Sequence, residues 1–161
     1  GLDLGGVVCR DLGHAAGEAR LRGQARRQRA VGLEAQHRDG GSGEQVVSDL
    51  LRYAQELKTK GVKVFILSNN FKERTTYYRE HFSQIFKAVD KAYFSWETGF
   101  VKPDEKAFTN ILTENKLQAQ ETFYFDDSEK NVAAAKKIGI HAYKYADLAE
   151  TKRILAKIGN F

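Results

Sequence analysis

Cysteine is almost missing from this 161-residue chain. Cys9 stands alone, so no internal disulfide can staple the fold and stability must come from a hydrophobic core, which one domain of this length can build. No apolar run approaches the roughly 20 residues that a helix needs to span a bilayer. The opening Gly-Leu-Asp-Leu-Gly-Gly has neither the basic flank nor the apolar stretch of an export signal. The expectation is one soluble, cytoplasmic domain with no membrane partner. A Gly-rich loop ending in Gly-Lys-Ser/Thr is also missing, which excludes the phosphate loop of the NTPases. His14, His37, His81 and His141 show no ligand spacing with one another or with Cys9, so no zinc site is inferred. His81, in an aromatic-rich segment, is expected to be partly buried.

Aromatic residues are absent before Tyr53, and Lys before Lys58. Residues 1–43 hold ten of the fourteen Gly and seven Arg, whereas all fifteen Lys and four Arg lie beyond them. Between Asp11 and Gly43 the larger apolar residues are Leu12, Leu21, Val31 and Leu33. That is too little surface to offset the entropy of ordering. Residues 9–43 are therefore expected to form a flexible insert, or at most a loosely docked Ala/Arg helix. A second reading is that Cys9–Gly43 is not the natural frame of the gene, since composition shifts abruptly at both ends. The Arg cluster at Arg20, Arg22, Arg26, Arg27 and Arg29 could serve as an RNA-binding arm. No aromatic residue lies nearby to stack a base, and most Lys are scattered singly, as on solvated helix faces. The net charge of +5 is therefore not read as a nucleic-acid footprint.

From residue 45 the pattern becomes regular. Val46, Val47, Leu50, Leu51, Ala54 and Leu57 mark one helix face, closed by Gly61. The run Val62 to Leu67 reads as a buried strand ending at Ser68-Asn69-Asn70, followed by a helix carrying Tyr77, Tyr78 and Phe82. Strands over 92–95, 122–125 and 140–145 alternate with helices over 104–117, 131–138 and 148–158. Asp104 is the expected cap of the first of these helices and Gly139 the stop of the second. Such alternation predicts an α/β fold, a doubly wound, three-layer Rossmann-like parallel sheet with helices on both faces. Ligands bind beyond the carboxyl ends of the strands in such folds, and there the sequence puts Asp3, Ser68 with Asn69, Lys102, and Asp126 with Asp127. Each has an ordinary explanation as a cap, turn or loop residue. Together they supply a nucleophile, donors for oxyanions, a cation and metal-binding carboxylates, the set that phosphoryl transfer needs.

Asp3-Leu4-Gly5-Gly6-Val7-Val8, Ile66-Leu67-Ser68-Asn69-Asn70, Val101-Lys102-Pro103-Asp104 and Tyr124-Phe125-Asp126-Asp127-Ser128, leading through Asn131 and Ala134 to Gly139, resemble in order the four motifs of the haloacid dehalogenase superfamily, in the branch rich in small-molecule phosphatases. The resemblance covers residues 1–8 and 45–150. Order separates it from response-regulator receivers, where the acidic pair comes first.

The resemblance implies a single core domain over 1–161 with the cap absent or degenerate. It implies Asp3 as the nucleophile, Ser68 and the backbone N–H of Asn69 on phosphoryl oxygens, and Lys102 neutralising charge between them. It also implies Mg²⁺ held by Asp3, the carbonyl of Gly5 and Asp127, supported by Asp126 with Asn131 behind, and a small phosphorylated metabolite as substrate. Asp126-Asp127 argues against the dehalogenases, whose fourth motif has Ser and Asn there. Gly5 departs from the pattern, because most phosphatases of the superfamily carry a second Asp at that position as general acid and base, help worth ~10² to 10⁴ in rate. Only Gly1 and Leu2 precede Asp3, so a short first strand is expected. A non-catalytic phosphate-binding or interaction domain is the alternative function. Oligomeric state is not legible.

Overall fold

The computed structural model describes residues 6–9 and 43–159. Five strands form one sheet in the order β3-β2-β1-β4-β5: β1 Gly6–Cys9, β2 Lys63–Ser68, β3 Lys91–Phe94, β4 Thr122–Asp126 and β5 His141–Lys144. The helices are α1 Gly43–Thr59, α2 Lys72–His81, α3 Ser83–Ala88, α4 Ser95–Thr98, α5 Glu105–Asn115, α6 Glu129–Lys137 and α7 Leu148–Gly159. The alternation read from the sequence therefore holds. The proposed insert over 9–43 lies, apart from its two end residues, outside the described residues.

Successive strand residues point to opposite faces of a sheet. In β4 all five residues are buried, and in β2 all but Lys63, so both faces of the sheet are covered at these two strands, as expected of strands sandwiched between helices. Phe65, Phe108, Tyr124 and Phe125 are among the largest fully buried side chains. Phe108 of α5 meets Tyr124 edge-on at 5.1 Å between ring centroids. Such pairing adds about 0.5–1.5 kcal/mol beyond burial of area. In α1, Leu50, Tyr53, Ala54 and Leu57 are buried at the i, i+3, i+4, i+7 spacing of one helix face.

Helix ends follow local chemistry. Gly61, at φ 78°, turns the chain out of α1 toward β2, and Val62 N donates to Leu57 O at 3.1 Å. Asp104 caps α5 by accepting from Lys106 N at 2.9 Å. Gly139, at φ 90°, stops α6 as anticipated, a conformation that costs a residue with Cβ more than it costs Gly.

Three expectations change. The expected single helix through Tyr77, Tyr78 and Phe82 is two helices, because Phe82 leaves helical geometry at φ −129°, ψ 44°. Its ring packs edge-on against Tyr77 and Tyr78 at 6.0 and 6.2 Å. His81 is exposed rather than partly buried, because it is on the outer side of α2, stacked on the exposed ring of Tyr77 at 4.1 Å. The third change concerns direction. β2 pairs with β3 and β4 with β5 in parallel, but β1 runs antiparallel to both its neighbours. The direction of β1 is set by its hydrogen-bond register with both neighbours. Gly6 consequently registers with Ile66 and Phe125, beside the carboxyl ends of β2 and β4.

Among the described residues no helix is long and apolar enough to cross a membrane.

Candidate active site

Two strand ends and one loop meet at the carboxyl edge. Ser68 closes β2 and is fully buried. Asp126 closes β4 at 1% exposure. Lys102, in the loop between α4 and α5, is brought to both by side-chain chemistry rather than by sheet pairing.

The side-chain amide of Asn69 makes the first link. Its Nδ2 donates to Lys102 O and its Oδ1 accepts from Lys102 N, both at 2.8 Å. One carboxamide thus satisfies both backbone groups of Lys102 and ties the loop to the end of β2, in the way one strand pairs with another. Lys102 makes the second link. Its side chain is 1% exposed, and Nζ donates to Asp126 Oδ2 at 2.8 Å.

Asp126 gathers further donors. Ser128 N donates to Oδ1 at 2.8 Å, Asn131 Nδ2 reaches both oxygens at 3.1 Å, and the Tyr124 hydroxyl donates to Oδ2. Burial pushes this carboxyl's pKa up. The charge of Lys102 and the hydrogen bonds from Lys102, Tyr124 and Ser128 more than reverse that push, and the pKa ends below its ordinary 3.8. The arrangement is a buried anion with a buried cation fixed against it. Such a cation can meet a dianionic group without first being stripped of water.

Asp127, the next residue, is half-buried just past the strand end. Among the described residues no three His, Cys, Asp or Glu side chains cluster as a metal site would require. Asp3 and Gly5 lie outside the described residues. Of the sites read from the sequence, the structure therefore brings Ser68, Asn69, Lys102 and Asp126 into one unit, with Asp127 adjoining.

Two partners escaped sequence reading. Tyr124 precedes Asp126 by two positions, which puts both side chains on one side of the strand, so the period of the strand could have suggested it. Ser95 holds the turn after Asn69, its Oγ accepting from Asn70 N at 3.0 Å and donating to Asn70 O at 3.1 Å. No signal in the sequence pointed to that contact. Trp96 packs at the surface, 39% exposed, with Nε1 donating to Thr75 Oγ1 at 2.8 Å.

An α/β sheet with a buried lysine–carboxylate pair at its edge is an architecture that hosts many chemistries, and comparison narrows it. Residues 29–144 match the haloacid dehalogenase-like hydrolase family, and the chain belongs to that family. The match begins after the segment carrying Asp3. A crystal structure of an uncharacterized protein from Corynebacterium glutamicum superimposes with a TM-score of 0.59 at 29% identity, over 73% of this chain and 85% of that one. A predicted hydrolase of the same family from Porphyromonas gingivalis gives 0.59 at 25% identity, over 67% and 57%. A family enzyme from Bacteroides thetaiotaomicron, in complex with magnesium and inorganic phosphate, gives 0.55 at 24%, over 63% and 53%, a likeness of fold. The chain spans little more than half of these last two proteins.

Proposed function

We propose that this chain is a Mg²⁺-dependent phosphatase, hydrolysing the monoester of a small phosphorylated metabolite through an aspartyl-phosphate on Asp3. The observation that carries this reading is the locked unit of Asn69, Lys102 and Asp126, which fixes a buried cation beside the residues proposed to cradle phosphate. The magnesium and phosphate in the Bacteroides thetaiotaomicron enzyme of the same fold support it.

In this reading Ser68 Oγ and the backbone N–H of Asn69 hold two phosphoryl oxygens, and Lys102 balances their charge. A carboxylate oxygen of Asp3 attacks phosphorus as the ester P–O bond breaks. Water then attacks the aspartyl-phosphate, releasing inorganic phosphate and restoring the carboxylate. Asp3 stands three residues before Gly6 in the sequence, and Gly6 registers beside the ends of β2 and β4.

The donor set fits Mg²⁺, because it consists of oxygens only. Asp127 would hold the ion with Asp3 and the carbonyl of Gly5. Both oxygens of Asp126 already accept hydrogen bonds, so its proposed part is to fix Lys102 and support the ion from beside Asp127. When bound, the ion would neutralise phosphoryl charge.

Gly5 supplies no proton to the leaving oxygen. An aryl phosphate, whose leaving group departs unprotonated, should therefore turn over faster than an alkyl ester by at least ~10²-fold. The test is Mg²⁺-dependent turnover of a generic aryl phosphate by the wild type and by Asp3→Asn. Turnover by the wild type that chelation and the substitution both abolish is expected. Wild-type turnover no greater than that of Asp3→Asn removes the phosphatase reading, and phosphate binding without turnover selects the non-catalytic alternative, which the missing second Asp favours.

A further inference from the structure

Asn70 follows the two proposed phosphate-binding residues and is 7% exposed. Its carboxamide is fixed at one end only. Oδ1 accepts from Phe71 N at 3.1 Å, and this identifies the oxygen end, because the reversed amide would set NH₂ against N–H, donor facing donor. Ser95 Oγ clamps the backbone of the same residue on both its N–H and its C=O. The other end, Nδ2, is buried and has no hydrogen-bond partner among the described residues. A buried donor left without an acceptor is destabilising, and native structures keep few of them.

The position of this donor says what would satisfy it. Phe71 is the N-cap of α2, a ten-residue helix, and no side chain caps that end. The Asn70 carboxamide, bonded to the N-cap N–H, thus lies at the open, electropositive start of the helix. Lys72 and Arg74 follow at once, and Glu73 is the one acidic residue in the first turn. An amide donor, the uncapped helix start and the side chains of Lys72 and Arg74, whose charged groups sit over the rings of Trp96 and Phe71, stand directly after Ser68 and Asn69 in the chain. The shared complement of all of them is an anionic oxygen.

We propose that Asn70 Nδ2 is a third oxyanion-binding donor of this site, hydrogen-bonded to a phosphoryl oxygen of the bound ester. This assignment rests on the phosphatase reading above. The clamp by Ser95 and the bond from Phe71 hold the carboxamide in place before the ligand arrives, so binding orders nothing new there. It also gives the second Asn of Ser68-Asn69-Asn70 a task distinct from the first, whose side chain is spent on Lys102.

The test uses the ¹⁵N-labelled full chain with Mg²⁺ and inorganic phosphate as probe. Asn70→Ser, which keeps an oxygen able to accept from Phe71 N but has no reaching NH₂, assigns the side-chain amide pair by its disappearance. On titration with phosphate, the Asn70 NH₂ resonances should move together with the backbone amide of Asn69. Asn70→Ser should bind phosphate roughly 10- to 100-fold more weakly, the range for losing a hydrogen bond to a charged group, with its melting profile retained. Movement of the Asn69 amide while the Asn70 pair stays still overturns the assignment and leaves the phosphatase reading standing, as does wild-type affinity in Asn70→Ser. If neither resonance moves, phosphate does not bind here and the two readings fall together.

Discussion

Asp126 is the point on which four donors converge, and that makes the two halves of its ion pair unequal. Replacing Lys102 by Met removes one donor, but the carboxylate keeps Tyr124, Ser128 N and Asn131. Replacing Asp126 by Asn preserves shape yet removes the charge and turns one acceptor into a donor. Lys102 is then a buried cation without its counter-ion, and at least one neighbouring donor faces another. Breaking a buried pair costs about 3–5 kcal/mol. Lys102→Met should fall near the lower end, and Asp126→Asn should exceed it by the ~1–3 kcal/mol of an unsatisfied buried donor. The double variant should lose less than the sum of the two, because the buried charge that each single variant leaves without its counter-ion is absent from it. Urea unfolding followed by far-UV circular dichroism reads these differences, and with a slope of roughly 1–3 kcal/mol per molar the midpoint of Lys102→Met should drop by about 1–3 M. Losses below ~1 kcal/mol in both single variants, the behaviour of an exposed pair, would refute the reasoning. So would a Lys102→Met variant less stable than Asp126→Asn.

Asn69→Ala removes both contacts to the Lys102 backbone and should lower stability by about 1–3 kcal/mol. It should also cut turnover of the aryl phosphate more than Km rises, which steady-state kinetics would show. Tyr53 gives a pH prediction, since burial, assisted by the charge of Glu56, raises its pKa from the ordinary 10.0 to about 12. The folded state holds that proton more tightly, so its contribution is complete below pH 10 and is lost between pH 10 and 12. The loss is about 1.4 kcal/mol per pH unit. The alkaline unfolding curve of Tyr53→Phe should lack this component, and identical curves for the two proteins would contradict the assignment.

Much of this was legible in the sequence because the parallel strands are short apolar runs ending in polar residues. Val64 to Leu67 and Phe123 to Phe125 are buried on both faces, so they read as continuous hydrophobic segments rather than as alternation. The residues ending them, Ser68, Asp126 and Asp127, stand where the fold puts ligands. The direction of β1 was not legible. A short apolar run carries no mark of its sense, and the choice is made by hydrogen-bond register with β2 and β4. The break at Phe82 was hidden for a related reason, since aromatic packing with Tyr77 and Tyr78 overrides the helical period there. Asn69 was read through its backbone, and its carboxamide proved to bind Lys102, because a sequence motif specifies a residue and leaves open which of its hydrogen-bonding groups is used.

The reversal of β1 also bears on how the chain assembles. A parallel pair needs a crossover of a dozen or more residues between its strands, so every parallel contact in this sheet waits on a helix. Two such units, β2 with β3 and β4 with β5, each close through the helical segments lying between their own strands. Among the described residues, the strands of one unit are joined to those of the other through Gly6–Cys9. Four residues from the far end of the sequence therefore join two halves that can each form from local contacts, and the latest step in building the sheet is expected to be the one that brings Ser68 and Asp126 to either side of the same strand.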